Sequence, residues 1–349
     1  MQKDPRQMML SRRAFAHGLV GCVKAAALVA LPALVGCDAS FLKPGATESE
    51  TMLTKTFFAF DTVVDLQVYC TQDMMDELHE RCRYLERIFS RTIEGSDIWN
   101  INHAQGAEVE VASETADIIV QSLEYAEKSQ GLFDITIGTV SSLWDFKEGI
   151  KPADEEIQAA LPHVGYENIE VSGCTVRLKD PETKLDLGGI AKGYIADNLT
   201  QLLVSYGVER GVINLGGNVS VLGTKEDGSD WNVGVQDPNK KNQVIALISC
   251  HDNSVVTSGL YERKFEQDGE LYYHILDPTT GYPVKTDLVS SSVSYKNALD
   301  ADVVATVLFL LGKERALSFV DQHKDFDVLL CGADGTCATG NDTQFEVFK

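Results

Sequence analysis

The stretch KLDLGGIAKGYIADNLTQLLVSYGVERGVINLGGNVSVL, residues 184–222, decides the fold class. Lys184–Leu187 reads as a short strand, Gly188-Gly189 as a turn, and Ile190–Tyr206 as a helix closed by Gly207. Two strands then follow in direct succession, near Gly211–Leu215 and Val219–Leu222. One helix followed by consecutive strands departs from the alternation of a doubly wound parallel sheet and predicts α+β. Toward the C-terminus, strands are predicted near Trp231–Val235, Val244–Ser249, Val255–Ser258, Tyr261–Gln267 and Leu271–Leu276, the last two joined by an Asp268-Gly269 hairpin turn. A strand Leu288–Tyr295, helices Asn297–Leu311 and Lys313–Asp321, and a closing hairpin complete that half. Toward the N-terminus, Phe57–Tyr69 alternates like one strand, and Asp73–Phe89, Ser113–Gln130 and Asp154–Leu161 carry helical spacing, with Ser113 as an N-cap. Ile169–Leu178 reads as a hairpin around Ser172-Gly173, and Gly131–Gly138 as a loop running into a strand. No repeat or Pro-rich linker interrupts residues 55–349, so two intertwined lobes with mostly antiparallel sheets are expected.

The chain has 349 residues, 44 % of them apolar and 23 % charged, which suffices for a sizeable core and excludes global disorder. Thirty Lys and Arg stand against 52 Asp and Glu, a net charge of −22. Such an acidic surface repels a phosphate backbone, so nucleic acid is excluded as a partner. Residues 1–36 read as an address: Arg12-Arg13 precedes an apolar stretch that ends in Leu34-Val35-Gly36-Cys37, similar to a twin-arginine export signal with a lipoprotein cleavage site. Cys37 is the expected lipidated first residue, residues 37–54 a flexible tether, and residues 55–349 the working domain. An extracytoplasmic, lipid-anchored location at the cell membrane follows. Removing residues 1–36 takes away Lys3, Arg6, Arg12, Arg13 and Lys24 but only one acid, Asp4, so the remainder carries −26 in place of −22. The remaining cysteines show no metal-ligand spacing. Cys331 and Cys337 flank a turn, Ala333-Asp334-Gly335, and stand either as a disulfide or as two buried thiols.

Four stretches carry chemistry. Asp186-Leu-Gly-Gly-Ile-Ala-Lys192-Gly-Tyr194 places paired glycines before a helix, where backbone N–H groups and the helix dipole favour an anion; an ordinary strand-to-helix turn is the plain alternative. On the helix capped by Asn297, Asp302 and Thr306 are four residues apart and share a face, as two oxygen ligands of Mg²⁺ would, or as a solvated carboxylate and a back-bonded threonine. His274, on the strand before the Asp277-Pro-Thr-Thr-Gly281 turn, can act near neutral pH as base or hydrogen-bond donor, or be structural. Gly131-Leu-Phe-Asp-Ile-Thr136 offers an aromatic and a carboxylate to a flat ring.

In order and wording these stretches resemble the FAD:protein FMN transferase family, also called the ApbE or thiamine-biosynthesis lipoprotein family. The resemblance runs from about Thr56 to the C-terminus and also rests on Phe-Phe-Ala-Phe-Asp-Thr-Val-Val at 57–64, Asn-Leu-Gly-Gly-Asn at 214–218 and His-Ile-Leu-Asp-Pro-Thr-Thr-Gly at 274–281. It implies FAD in a cleft between the lobes with Mg²⁺ at its pyrophosphate. The implied metal ligands are Asp302, Thr306 and the carbonyl of Gly189. The implied FAD contacts are Phe60, Thr92, Leu132, Phe133, Asp134, Asp186, Lys192 and Ile275. Phe60-Asp61-Thr62 departs from the Met-Gly-Thr usual in the family.

The implied reaction moves FMN from FAD to a Ser or Thr hydroxyl of another protein and releases AMP, with Lys192 and Asp302 supporting catalysis and His274 as the base. Family acceptors carry a Ser/Thr-Gly-Ala-Thr/Ser string; Pro44-Gly45-Ala46-Thr47 lacks the leading hydroxyl, so acceptors are expected to be separate exported or membrane flavoproteins. A Mg²⁺-dependent FAD pyrophosphatase and a non-catalytic FAD-binding lipoprotein are the alternatives, separated by whether an acceptor, water or nothing attacks the phosphorus.

Overall fold

A computed structural model describes residues 51–240, 242–260, 263–340 and 343–348. The expected signal at 1–36, the lipidation site Cys37 and residues 38–50 of the tether lie outside the described residues.

The first half of the chain forms β1 (Met52–Ala59), β2 (Thr62–Tyr69), α1 (Gln72–Phe89), α2 (Asp97–His103), β3 (Val109–Glu110), α3 (Ser113–Lys128), α4 (Gly138–Ser141), α5 (Asp154–Ala160), β4 (Ile169–Ser172) and β5 (Thr175–Leu178). It continues with α6 (Ala191–Ser205), β6 (Gly211–Leu215), β7 (Asn218–Leu222), β8 (Trp231–Gln236), β9 (Val244–Cys250) and β10 (Asn253–Gly259). The last part comprises β11 (Lys264–Gln267), β12 (Glu270–Tyr273), β13 (Leu288–Tyr295), α7 (Ala298–Leu311), α8 (Lys313–Gln322), β14 (Asp327–Gly332), β15 (Cys337–Thr339) and β16 (Phe345–Val347).

Eight strands form the main sheet in the order β1-β2-β6-β7-β10-β13-β14-β15, and every ladder in it is antiparallel. β2 and β6 are neighbours although α1–α6 and β3–β5 intervene in the chain, so one lobe is built as an excursion from the other's sheet. The sheet is covered on both faces. In β14 the alternating side chains Val328 and Leu330 join the cluster with α7 and α8, while Leu329 and Cys331 face the small sheet β16-β9-β8. This two-sided burial explains the unbroken apolar run in β14. α7, buried on nearly every side, is the central helix. Small side chains on β13 let it approach, and Ser291 Oγ donates to the Ala305 carbonyl at 2.6 Å.

Several expectations are corrected. Phe57–Tyr69 is a hairpin, with Ala59 opposite Thr62 and a two-residue turn at Phe60-Asp61, both at φ +56°. Such a turn usually calls for Asn-Gly, and its absence concealed the reversal. Ser113 is the first helical residue; Asp97 serves this helix start, accepting from Ala112 N at 2.9 Å and Thr115 Oγ1 at 2.6 Å. Residues 135–141 form a 3₁₀ turn and α4, not a strand, because Asp134 caps the turn through Thr136 N at 2.8 Å. Lys184–Leu187 is extended without a partner strand: the Asn102 amide stands in for one, accepting from Leu185 N at 2.6 Å and donating to its carbonyl at 2.9 Å. β1 begins inside the segment read as tether, and β12 stops before His274. α2, β3 and β16 were not anticipated. Cys331 and Cys337 face each other across β14 and β15 and are joined by a disulfide.

Candidate active site

The site is organised by two helices that cap one another. Asp197 of α6 accepts from Ala298 N at 2.8 Å and Leu299 N at 3.0 Å, closing the start of α7. Asp302 of α7 returns the favour, its Oδ2 accepting from Gly193 N in the first turn of α6 at 2.9 Å. Each carboxylate satisfies N–H groups that a helix start leaves without partners. Burial pushes Asp197 up to about 6, partly offset by those two N–H bonds. The helices can come this close because position 193 is glycine: a Cβ there would lie 2.5 Å from the Ala298 carbonyl oxygen.

The capping leaves Asp302 Oδ1 facing a cleft, without a hydrogen-bond donor among the described residues and 3.9 Å from Lys192 Nζ. Thr306, the residue of 301–310 that is not buried, lies one turn on. Its Oγ1 donates to the Asp302 carbonyl at 3.1 Å and lies 3.2 Å from Ser258 Oγ. Opposite, a Cβ on Gly189 would meet the Phe133 ring at 3.2 Å and Thr306 Oγ1 at 4.0 Å, so this glycine lets three elements converge. The expected phosphate cradle at 188–193 is partly filled by the protein itself: Gly188 N donates to Asp186 Oδ1 at 2.9 Å, and the anion at the start of α6 is Asp302.

Asp186 anchors the near wall. Its Oδ2 accepts from Ser141 Oγ at 2.9 Å and pairs with Arg91 Nε at 3.3 Å. The far wall comes from the residues at the root of the β11–β12 hairpin, where His274 N donates to the Arg263 carbonyl at 3.2 Å and both residues line the cleft. Desolvation first, then the positive charges of Arg263 and Lys192, push His274 down to about 4. Its Nδ1 is buried and has no hydrogen-bond partner among the described residues. The imidazole is therefore neutral at physiological pH, with a lone pair on one ring nitrogen. Lys192, Arg91 and Arg263 set three cations against Asp134, Asp186 and Asp302, so the cleft is locally balanced in a strongly acidic chain.

The model of the ApbE family matches residues 60–330, most of the chain and all of these walls. The chain belongs to the ApbE family. Among curated ApbE relatives, the FAD:protein FMN transferase of Treponema pallidum is 34 % identical over 274 residues, covering 73 % of this chain and 76 % of that protein. The FAD:protein FMN transferase of Klebsiella pneumoniae is 37 % identical over 240 residues, covering 67 % and 74 %. Among solved structures, the ApbE protein of Thermotoga maritima superposes with a TM-score of 0.77 at 32 % identity, over 83 % of this chain and 97 % of that one. The flavin transferase ApbE of Vibrio cholerae does so with 0.75 at 25 %, over 83 % and 97 %.

Of the positions that the ApbE motifs single out, Leu132, Phe133, Asp134, Asp186, Gly189, Lys192, His274, Ile275, Asp302 and Thr306 all line the one cleft. Phe60 and Thr92 are not among its lining residues. Phe60 packs on the core beside β1 while its N–H donates to Glu86 Oε1 at 2.7 Å; Thr92 is exposed in the turn after α1, its N–H on Ser90 Oγ at 3.2 Å. Asp134 turns its carboxylate inward, to Thr136 and to Tyr166 N at 2.8 Å, and burial raises it to about 6. Arg91, Arg263, Ser141 and Ser258 line the cleft without having been singled out. Arg91, which directly precedes Thr92, lines the cleft where Thr92 does not. Among the described residues, no three His, Cys, Asp or Glu side chains are placed to hold a metal ion.

Proposed function

We propose that this chain is an FAD:protein FMN transferase: it moves FMN from FAD to a Ser or Thr hydroxyl of a separate exported or membrane flavoprotein and releases AMP. The reading is carried by one observation, the meeting of Asp302 Oδ1, Thr306 and Lys192 with a neutral His274 in one cleft of a chain whose curated relatives bear that name. An unpartnered carboxylate oxygen, a hydroxyl and the Gly189 carbonyl are hard oxygen donors and fit Mg²⁺, which binds few protein ligands and completes its shell with substrate phosphates. When bound, Mg²⁺ would neutralise charge on the pyrophosphate.

The chain's own residues do the rest. Lys192 holds a phosphate oxygen, Leu132, Phe133 and Ile275 bound the flavin-bearing substrate, and His274 accepts the acceptor's hydroxyl proton as its oxygen bonds to the flavin-side phosphorus. The phosphorus–oxygen bond to AMP breaks in line, and AMP leaves with the electron pair. A lipid on Cys37, followed by a tether, would hold the domain at the extracytoplasmic face where its acceptors emerge.

The test is incubation of residues 38–349 with FAD, Mg²⁺ and a recombinant acceptor, read as covalent flavin fluorescence in a denaturing gel. A fluorescent acceptor band that EDTA or Asp302→Ala abolishes supports the reading. Free FMN and AMP without a band identify a pyrophosphatase, and unchanged FAD a passive binder; either overturns it.

A further inference from the structure

We propose that Arg91 is a substrate-binding and specificity-determining residue of this cleft, its guanidinium edge taking an anionic oxygen of the dinucleotide's phosphates. The inference rests on the FAD reading above and assigns a contact that the motifs do not.

Three observations carry it. Arg91 lines the cleft, and its nearest ionic contact is made through Nε, 3.3 Å from Asp186 Oδ2. Among the described residues no acceptor takes a hydrogen bond from the guanidinium, so the donors on its outer edge remain available in the geometry that suits a planar, two-point grip on an oxyanion. Asp186, by contrast, is committed: Oδ1 takes Gly188 N at 2.9 Å, and Oδ2 takes Ser141 Oγ at 2.9 Å together with Arg91. Asp186 has no oxygen to spare while Arg91, anchored through Nε, keeps its outer donors, so the group offered to the ligand here is the arginine.

The backbone beneath Arg91 is also fixed. Ser90 closes the end of α1, its N–H on the Glu86 carbonyl at 3.0 Å, and its Oγ accepts from Thr92 N at 3.2 Å and Ile93 N at 3.1 Å. Ser96 Oγ ties the far end of the turn back to the Ser90 carbonyl. The side chain therefore springs from a built turn, and binding need not order the backbone beneath it. Lys192, already shared with Asp302, is a thin counterweight to a pyrophosphate, and Arg91 adds a further cation beside Asp186 in the same cleft.

The experiment compares wild type with Arg91→Gln by flavin fluorescence titration, using FAD and riboflavin, which has the ring but no phosphate. Losing one charge-assisted contact should weaken FAD roughly 10- to 100-fold and leave riboflavin within about twofold. An unchanged FAD affinity in a folded variant, judged by near-UV circular dichroism, overturns the proposal. So does equal weakening of FAD and riboflavin, which would mark a ring contact or a distorted cleft. If wild type itself fails to bind FAD, the underlying functional reading falls instead, so the two failures are distinguishable.

Discussion

At the scale of single residues, His274 has the clearest consequence. A histidine depressed to about 4 resists protonation in the folded protein. It stays neutral as pH falls through 6.5 and gains its proton only near pH 4, and whatever stability it contributes above 6.5 is lost across that window. If it is the base, the acid limb of kcat/KM is expected well below pH 6, and His274→Ala should slow transfer by roughly 10²–10⁴-fold while FAD binding stays close to wild type. A ring titration by NMR that placed His274 near 6.5 would remove the premise. Lys192, Asp302, Thr306 and Ile275 were legible because each sits at a fixed place in an ordered motif. Arg91 was not: nothing marks an arginine after a helix end as a cleft residue until Asp186, distant in the chain, is seen to hold it. Asp134 shows the converse, since a carboxylate in a motif can be consumed by its own loop.

Among the elements, the α6–α7 pair matters most to the site. In an isolated helix, glycine to alanine gains up to about 1 kcal/mol. At position 193 the sign reverses, because the new Cβ would sit 2.5 Å from the Ala298 carbonyl and push the helices apart. Gly193→Ala is expected to cost about 1–3 kcal/mol, visible as a lower Tm, and to weaken FAD binding because Asp302 moves with α7. A Tm at or above wild type would show that the helices tolerate the separation. Most elements were legible from periodicity, with β6, α1 and α8 placed within a residue or so. The misses share one cause: tertiary partners replaced local chemistry. Phe60-Asp61 turns back without glycine, supported by Glu86. The Asn102 side chain substitutes for a strand at Leu185, and Asp97 caps a helix that starts well beyond it in the chain.

For the whole molecule, the α+β architecture followed from one helix between antiparallel strands, and its nesting from the lack of a linker. The surface charge said little about the cleft, where three cations match three carboxylates despite a net −22. The disulfide at the end of the main sheet closes a short loop, so replacing Cys331 and Cys337 together by serine should cost about 2 kcal/mol, measured by urea unfolding. No loss would mean that the β14–β15 ladder alone holds that edge. Asp302 then acquires a meaning beyond chemistry. One of its oxygens finishes the fold and the other looks out into the cleft, so under the proposed function occupancy and assembly are linked, and a tenfold excess of ligand over its Kd would add about 1.4 kcal/mol to stability. Any protease or chaperone that probes whether these two helices are closed is, by the same act, asking whether the cleft is filled.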